Sequence, residues 1–254
     1  MKNLLNSLLQ HKLLLLSVVA NLCLLFACFF LYNQARETYG HYRYFRALPI
    51  GISQATDATP TDNSIVLFGD SRIETWYPDP YSDKYTFINA GVTGETTTEM
   101  QRRFERDVVR LNPDYVLIQA GMNDMTLSVT KNVKDSAQYV DTMHENLHYF
   151  ISTLESQDID VIVTSIIPNK HLNIVRKQFW HNTLSDDVKD ANSRLKQTAL
   201  SLGADWLDLD PLYLDSDGNP VNTLFFDTLH INYQGYDVLN STLKDYVDNL
   251  SPEN

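Results

Sequence analysis

A chain of 254 residues with 43% hydrophobic and 11% aromatic content can bury a full core and accommodates one or two domains, so a disordered chain is excluded. A formal charge of −12, with no cluster of Lys and Arg in the body of the chain, excludes a nucleic-acid partner, because phosphate binding rests on clustered cations. Both cysteines, Cys23 and Cys28, fall in an N-terminal apolar run, which leaves the rest of the chain without a disulfide or a Cys-based metal site.

In chain order, a tail over residues 1–12 leads into Leu13–Tyr32, an apolar run interrupted by little more than Ser17 and Asn21. That run is long enough to cross a hydrocarbon core of ~30 Å as a helix, and it reads as a single-pass membrane anchor. A cleaved signal peptide fits less well, because no small-x-small cleavage pattern follows and "CFFLY" continues the apolar run. "LFAC", ending at Cys28, faintly resembles a lipoprotein signal, with Phe26 a poor fit; lipidation there also anchors the chain. Residues 1–46 hold Lys2, Lys12, Arg36, Arg43 and Arg46 against Glu37, a charge of about +4, so the remainder carries about −16. Basic residues flank the run on both sides; we favour an N-inside signal anchor, which places the catalytic domain outside the cytoplasm. Residues 33–63 read as a juxtamembrane linker ending in the turn-rich "SQATDATPTDN".

From residue 64 to the end at 254, short apolar runs alternate with amphipathic segments, as in a parallel sheet wrapped by helices. The pattern predicts strands at 64–69, 85–89, 115–120, 159–166 and 204–208, and helices near 96–111, 132–157, 185–202 and 233–249. Hydrophobicity in the strands is continuous rather than alternating, which implies burial on both faces and a three-layer α/β/α sandwich.

In such a sheet, ligands bind beyond the carboxyl ends of the strands. There stand Gly69-Asp70-Ser71, "NAGVTGETT", Gly121-Met122-Asn123-Asp124 and, before the last helix, "FFDTLHIN". These supply the parts of an acyl-transfer site. A serine needs a base in hydrogen-bond reach, and the base needs a carboxylate to fix its tautomer: Ser71, His230 and Asp227. The oxyanion needs preorganised donors, which the Ser71 N–H, a glycine N–H and the Asn123 amide can provide. The alternative nucleophile pattern G-x-S-x-G requires glycine at 73, where Ile73 stands.

"GDSR", "NAGVTGETT", "GMND" and "DTLH", in this order, resemble the four sequence blocks of the SGNH (GDSL) hydrolases over residues 64–249. The resemblance implies a five-stranded, flavodoxin-like parallel sheet, a nucleophile at Ser71, oxyanion donors at Ser71, Gly94 and Asn123, and an Asp227–His230 pair. Gly94 is preferred over Gly91 because Glu95-Thr96 follows it, resembling the family's Gly-Asp-Thr. Arg72 departs from the apolar residue common after the serine.

His144-Glu145-Asn146-Leu147-His148 spells H-E-x-x-H, a zinc-binding pattern. On a helix whose buried face holds Val133, Val140, Met143, Leu147, Ile151 and Leu154, however, the two histidines fall at the flank and edge and Glu145 nearly opposite. The pattern therefore reads as a solvated helix flank, with no metal site. Arg72 is a candidate contact for a polar substrate group, with a solvated arginine as the alternative. Trp180, in the loop 168–182 with His171, is a candidate substrate contact or a core residue. Asp70 and Asp124 read as acceptors that fix loops.

The chain thus reads as a membrane-anchored serine esterase acting through an acyl-Ser71 intermediate without a cofactor. Its expected substrate is a short acyl ester, an O-acetyl group on an envelope or exported polysaccharide. Alternatives are an acyltransferase with the same triad, a lysophospholipase or thioesterase, and a non-catalytic binding module.

Overall fold

The computed structural model describes residues 2–46, 53–76 and 84–250. They form two separate units, divided at Ile50 and Gly51.

The first unit is one helix, α1 (Lys2–Arg46). Its segment Gln10–Gln34 has a mean hydropathy of 2.6 over its most apolar window and is long and apolar enough to cross a bilayer. The helix overruns the expected anchor at both ends, because no Pro or Gly breaks it before Gly40 and the flanking residues are adequate helix formers. Residues 47–52 of the expected linker lie outside the described residues. The rest of that linker, from Ser53, is part of the second unit. Ala55 is fully buried in its core, and the Ser53 hydroxyl donates to Asp107 at 2.7 Å.

The second unit is built on a five-stranded, all-parallel sheet: β1 (Ser64–Gly69), β2 (Thr86–Gly91), β3 (Tyr115–Gln119), β4 (Asp160–Thr164) and β5 (Asp205–Leu207). Their spatial order is β2-β1-β3-β4-β5. Between the strands run α2 (Ser71–Glu74), α3 (Thr97–Asp107), α4 (Met122–Ser128), α5 (Ala137–Glu155), α6 (Arg176–Phe179) and α7 (Leu184–Ser201). After β5 come α8 (Asp210–Tyr213) and α9 (Tyr233–Asp248).

Strand side chains alternate between two cores, which is why the runs are continuously apolar. Val66, Phe68, Val116, Ile118, Val161 and Val163 pack with Met100 and Phe104 of α3, Leu147 and Ile151 of α5, and Val188 and Leu195 of α7. Ile65, Leu67, Leu117 and Ile162 face the opposite way, onto Ile73, Tyr213 and, from α9, Leu239, Leu243 and Val247. The result is the expected α/β/α sandwich.

The strand order reverses direction around β1, whose neighbours β2 and β3 both follow it in sequence. That makes a topological switch point, with a crevice beyond the carboxyl ends of β1 and β3. The short α2 folds tightly across it. A Cβ on Gly69 would lie 2.1 Å from the Gln119 carbonyl oxygen and 2.4 Å from Ile73, and one on Gly91 would lie 2.1 Å from the Glu74 nitrogen. Both strand ends therefore require residues without side chains.

Gly69→Ala should cost about 1–3 kcal/mol, because the backbone carbonyl it meets cannot swing aside. Urea unfolding measures this, and an unchanged midpoint would contradict the close packing.

Candidate active site

The turn that carries Ser71, the candidate nucleophile, begins where β1 ends. Asp70 is the N-cap of α2, its carboxylate accepting the Arg72 N–H at 3.0 Å, so Ser71 occupies the first helical position. Its backbone N–H is among those a helix leaves without an intrahelical partner. The turn is held from outside by Asn89, whose amide donates to the carbonyls of Ile73 at 2.7 Å and Trp76 at 2.9 Å.

Asp227 and His230 lie on the loop before α9, closed by a bridge between Phe225 and Ile231. The Ser71 hydroxyl lies 3.2 Å from His230 Nε2, and His230 Nδ1 lies 3.0 Å and 3.1 Å from the two Asp227 oxygens. Asp227 also accepts the N–H groups of Leu229 at 2.7 Å and His230 at 2.8 Å. Burial alone would raise its pKa, but the bond and charge of His230 and these two N–H groups hold the carboxyl far below the usual range. Asp227 is thus an ionised acceptor, placed to hold the Nδ1–H tautomer with Nε2 facing the serine.

Asn123 stands near the start of α4, beyond β3, across the switch point from Ser71. Its amide donates to the Glu95 carbonyl at 2.9 Å and reaches Asp70 at 3.4 Å. Gly94 is exposed at φ +80, with open space on its Cβ side. Gly91, by contrast, is buried and gives its N–H to Asn89. The structure therefore gathers Ser71, Asp227 and His230 in one hydrogen-bonded chain, with Asn123 joined to Ser71's neighbour Asp70 and to the loop of Gly94.

Arg72 is not the solvated arginine that the sequence offered as its alternative. It is only 2% exposed, its Nε and Nη2 donating to the Leu229 carbonyl at 3.0 and 2.6 Å and its Nη1 to the Ile167 carbonyl at 2.7 Å. The folding-back of α2 carries it inward, which the sequence does not show. Trp180 is half-buried against the core, with the Arg176 guanidinium 4.5 Å from its ring centre. His171 is exposed. The loop they share does border the loop of Asp227 and His230, since the Lys170 N–H donates to the Thr228 carbonyl at 2.8 Å.

Asp124 accepts the N–H and hydroxyl of Thr97 at the start of α3, and burial pushes its carboxyl up to about 6. Sequence reasoning missed Arg103. It is 4% exposed and donates to the ends of both β1 and β2, at Gly69 (2.9 Å) and Ala90 (2.6 Å), and to the Glu95 carboxylate (2.6 Å). A charged residue in register with Thr97, Met100, Phe104 and Asp107 on the buried face of α3 was the available signal.

The H-E-x-x-H pattern comes apart on α5. His148 and Glu145 are exposed, while His144 is buried more deeply than a helix flank and lines a cleft of about 430 Å³ with Asp141, Asp190 and Arg194. Among the described residues no three His, Cys, Asp or Glu side chains gather closely enough to hold a metal ion.

The sequence pattern of the GDSL-like lipase/acylhydrolase family matches residues 53–238. The chain belongs to that family of carboxylic ester hydrolases. It is 29% identical to the uncharacterized lipoprotein YqeF of Bacillus subtilis, over 52% of this chain and 67% of that one. Among solved structures, it resembles a GDSL-like lipase from Bacteroides thetaiotaomicron (20% identity, TM-score 0.62, covering 83% of this chain and 96% of that one). It also resembles an acetylxylan esterase from Geobacillus stearothermophilus, crystallised as a catalytic mutant (14% identity, TM-score 0.59, covering 77% and 98%). These two structural likenesses show the fold.

Burial, helped by the charge of Arg194, pushes the His144 imidazole down to about 4. Between that value and its ordinary 6.5, the unfolded chain binds the proton that the folded chain refuses. His144 therefore contributes stability that is fully present above about 6.5 and lost as pH falls towards 4, by up to about 3 kcal/mol. Urea unfolding at both ends of that window should show the natural protein losing more stability on acidification than His144→Leu. Equal losses would contradict a buried, neutral His144.

Proposed function

We propose that this protein is a membrane-anchored serine esterase that removes short acyl groups, most plainly O-acetyl, from an envelope or exported polysaccharide outside the cytoplasm. The observation that carries the reading is the continuous Ser71–His230–Asp227 hydrogen-bonded chain at the switch point of the sheet.

Ser71 Oγ attacks the ester carbonyl carbon as its proton passes to His230 Nε2, and Asp227 stabilises the imidazolium that forms. The carbonyl electrons move onto oxygen. That oxyanion is met by the N–H groups of Ser71 and Gly94 and by the Asn123 amide, whose contact with Asp70 at 3.4 Å is long enough to be exchanged for a better acceptor. The intermediate expels the sugar oxygen, which takes the proton from His230 and leaves acyl-Ser71. Water, deprotonated by His230, then attacks the acyl carbon; as that intermediate collapses the bond to Ser71 Oγ breaks, the serine oxygen takes the proton back from His230, and the carboxylic acid leaves. No step calls for a cofactor. Gly94 suits its role as an exposed residue on a loop that the Asn123 amide fixes through the Glu95 carbonyl.

The acetyl and saccharide parts of the reading draw on the polar residues of the segments that follow the strands, Thr96, Thr98 and His171 among them, and on the acetylxylan esterases among proteins of similar fold. The anchor and the outside location draw on the apolar span Gln10–Gln34 and the lipoprotein relative. A second reading, a lysophospholipase, is favoured by the exposed Ile174 and Phe179 on the bordering loop and by Phe226 beside Asp227.

Ser71→Ala should abolish hydrolysis of a p-nitrophenyl ester with the thermal midpoint unchanged, and Asn123→Ala should lower kcat by about 10²–10³. Substantial activity in the first variant would refute the triad, and an unaltered kcat in the second would remove Asn123 from the oxyanion site.

A series of p-nitrophenyl esters from acetate to dodecanoate separates the substrate readings, because each accommodated methylene adds up to ~0.8 kcal/mol of binding. We expect kcat/KM to be highest at acetate; a steady rise to octanoate or beyond would replace the saccharide ester with a lipid.

A further inference from the structure

Asp70 and Arg72 flank the nucleophile, and each reaches a different half of the site. Asp70 faces Asn123, on the oxyanion side. Arg72 faces the main chain of the acid–base loop. We infer that Arg72 is a positioning residue, whose guanidinium fork fixes His230 at proton-transfer distance from Ser71 by gripping the Leu229 carbonyl. The inference rests on the triad reading above and adds to it the device that holds two distant parts of the chain in register.

The geometry supports this in three ways. First, two nitrogens of the fork converge on the Leu229 oxygen at 2.6 and 3.0 Å, and the next residue in the chain is His230. Such a charged, two-pronged contact defines the carbonyl's direction as well as its distance. The third bond, at 2.7 Å to Ile167 beyond β4, ties the same guanidinium to the sheet side of the cleft. Secondly, the backbone of Arg72 is itself immobilised. Its N–H is held by Asp70, and its carbonyl accepts the Tyr236 hydroxyl at 2.8 Å, from the first turn of α9. The loop bearing Asp227 and His230 is thus fastened at its middle by the Arg72 side chain and just beyond its end by the Arg72 main chain. Thirdly, the investment is large. Burial lowers the pKa of the guanidinium, with the Asp70 charge the main opposing influence, and a buried cation is tolerated only where its donors are satisfied. An apolar side chain would fill this space without desolvating a charge, but it could not grip a carbonyl.

Ser71 and His230 are 159 residues apart, and their bond is 3.2 Å long. A displacement of about 1 Å in such a pair can cost on the order of 10²-fold in rate. Lysine keeps the charge and one or two donors but not the planar fork, and leucine keeps only bulk.

The test is a double-mutant cycle on p-nitrophenyl acetate, with thermal midpoints recorded for every variant. In the natural background we expect Arg72→Lys to lower kcat by about 10-fold and Arg72→Leu by about 10²-fold, with KM altered less than about 2-fold. In a His230→Ala background neither substitution should lower the residual rate by more than about 2-fold, since a residue acting through His230 has nothing left to position. Asn240→Ala removes the bond from Trp76 to α9 at 2.7 Å and loosens the α2–α9 contact without touching Leu229; it should leave kcat within about 2-fold. Equal losses from Arg72 substitution in both backgrounds, or full activity in Arg72→Leu, would overturn the inference. Should Arg72→Leu fail to fold, Arg72→Lys carries the cycle alone. Retained activity in Ser71→Ala would defeat the triad reading instead, whatever the Arg72 variants do.

Discussion

The chain reversal at Gly69-Asp70-Ser71 is the constraint on which the other features depend. A buried parallel strand must end in a turn sharp enough to return the chain to the layer it came from, and here the return is so tight that α2 lies against the ends of both β1 and β2. Neither Gly69 nor Gly91 has room for a Cβ. The tightness places Ser71 at the rim of the crevice, with its hydroxyl directed towards the loop before α9. It also sends Ile73 and Arg72 inward, the first to the core beneath and the second to the carbonyls of Ile167 and Leu229.

Around this turn the protein buries an unusual set of charges: Asp70, Arg72, Arg103, Asp107 and Asp124 are each at most 4% exposed. Few of them form simple ion pairs. Arg72 and Arg103 spend most of their donors on main-chain carbonyls, and Asp70 and Asp124 accept main-chain N–H groups. Desolvation is costly, as the raised Asp70 and Asp124 carboxyls show, and apolar replacements would often be more stable. Hydrogen-bonded networks of this kind contribute definition: they fix loops that have no ladder of their own. Arg103 does this for the ends of β1 and β2 and for Glu95, and Asp124 does it for the start of α3.

The loops that complete the site differ in how they are held. The Asp227–His230 loop is closed by its own turn bonds, because Asp227 accepts the N–H groups of Leu229 and His230 within the same four residues that carry the hydrogen-bonded Asp227–His230 pair. The loop after β4 is fastened at its base, through Ile167 and Lys170, while Ile174 and Phe179 project outward beyond it. A loop held by its own turn bonds thus stands beside one whose outer part carries exposed apolar side chains.

By itself the sequence determined what local chemistry and periodicity can determine. Continuous apolar runs give strands buried on both faces, so the five strands and four long helices were legible to within a few residues. Short polar blocks after the strands and before the last helix marked Ser71, Asn123, Asp227 and His230 as candidates. The apolar run before Tyr32 was equally plain, although the length of α1 and the core position of Ala55 were not, since a polar, Pro-containing stretch reads as a linker wherever its packing is unseen. Only the tertiary structure decided which polar residues face inward. Arg72 and Arg103 look like surface arginines because burial of a charge depends on carbonyls supplied by residues up to 157 positions away. His144 likewise left its expected flank for the cleft beside α7, because the face a helix buries is set by what packs against it. Periodicity is a property of neighbours in the chain; the partners that make a buried charge tolerable are neighbours only in space.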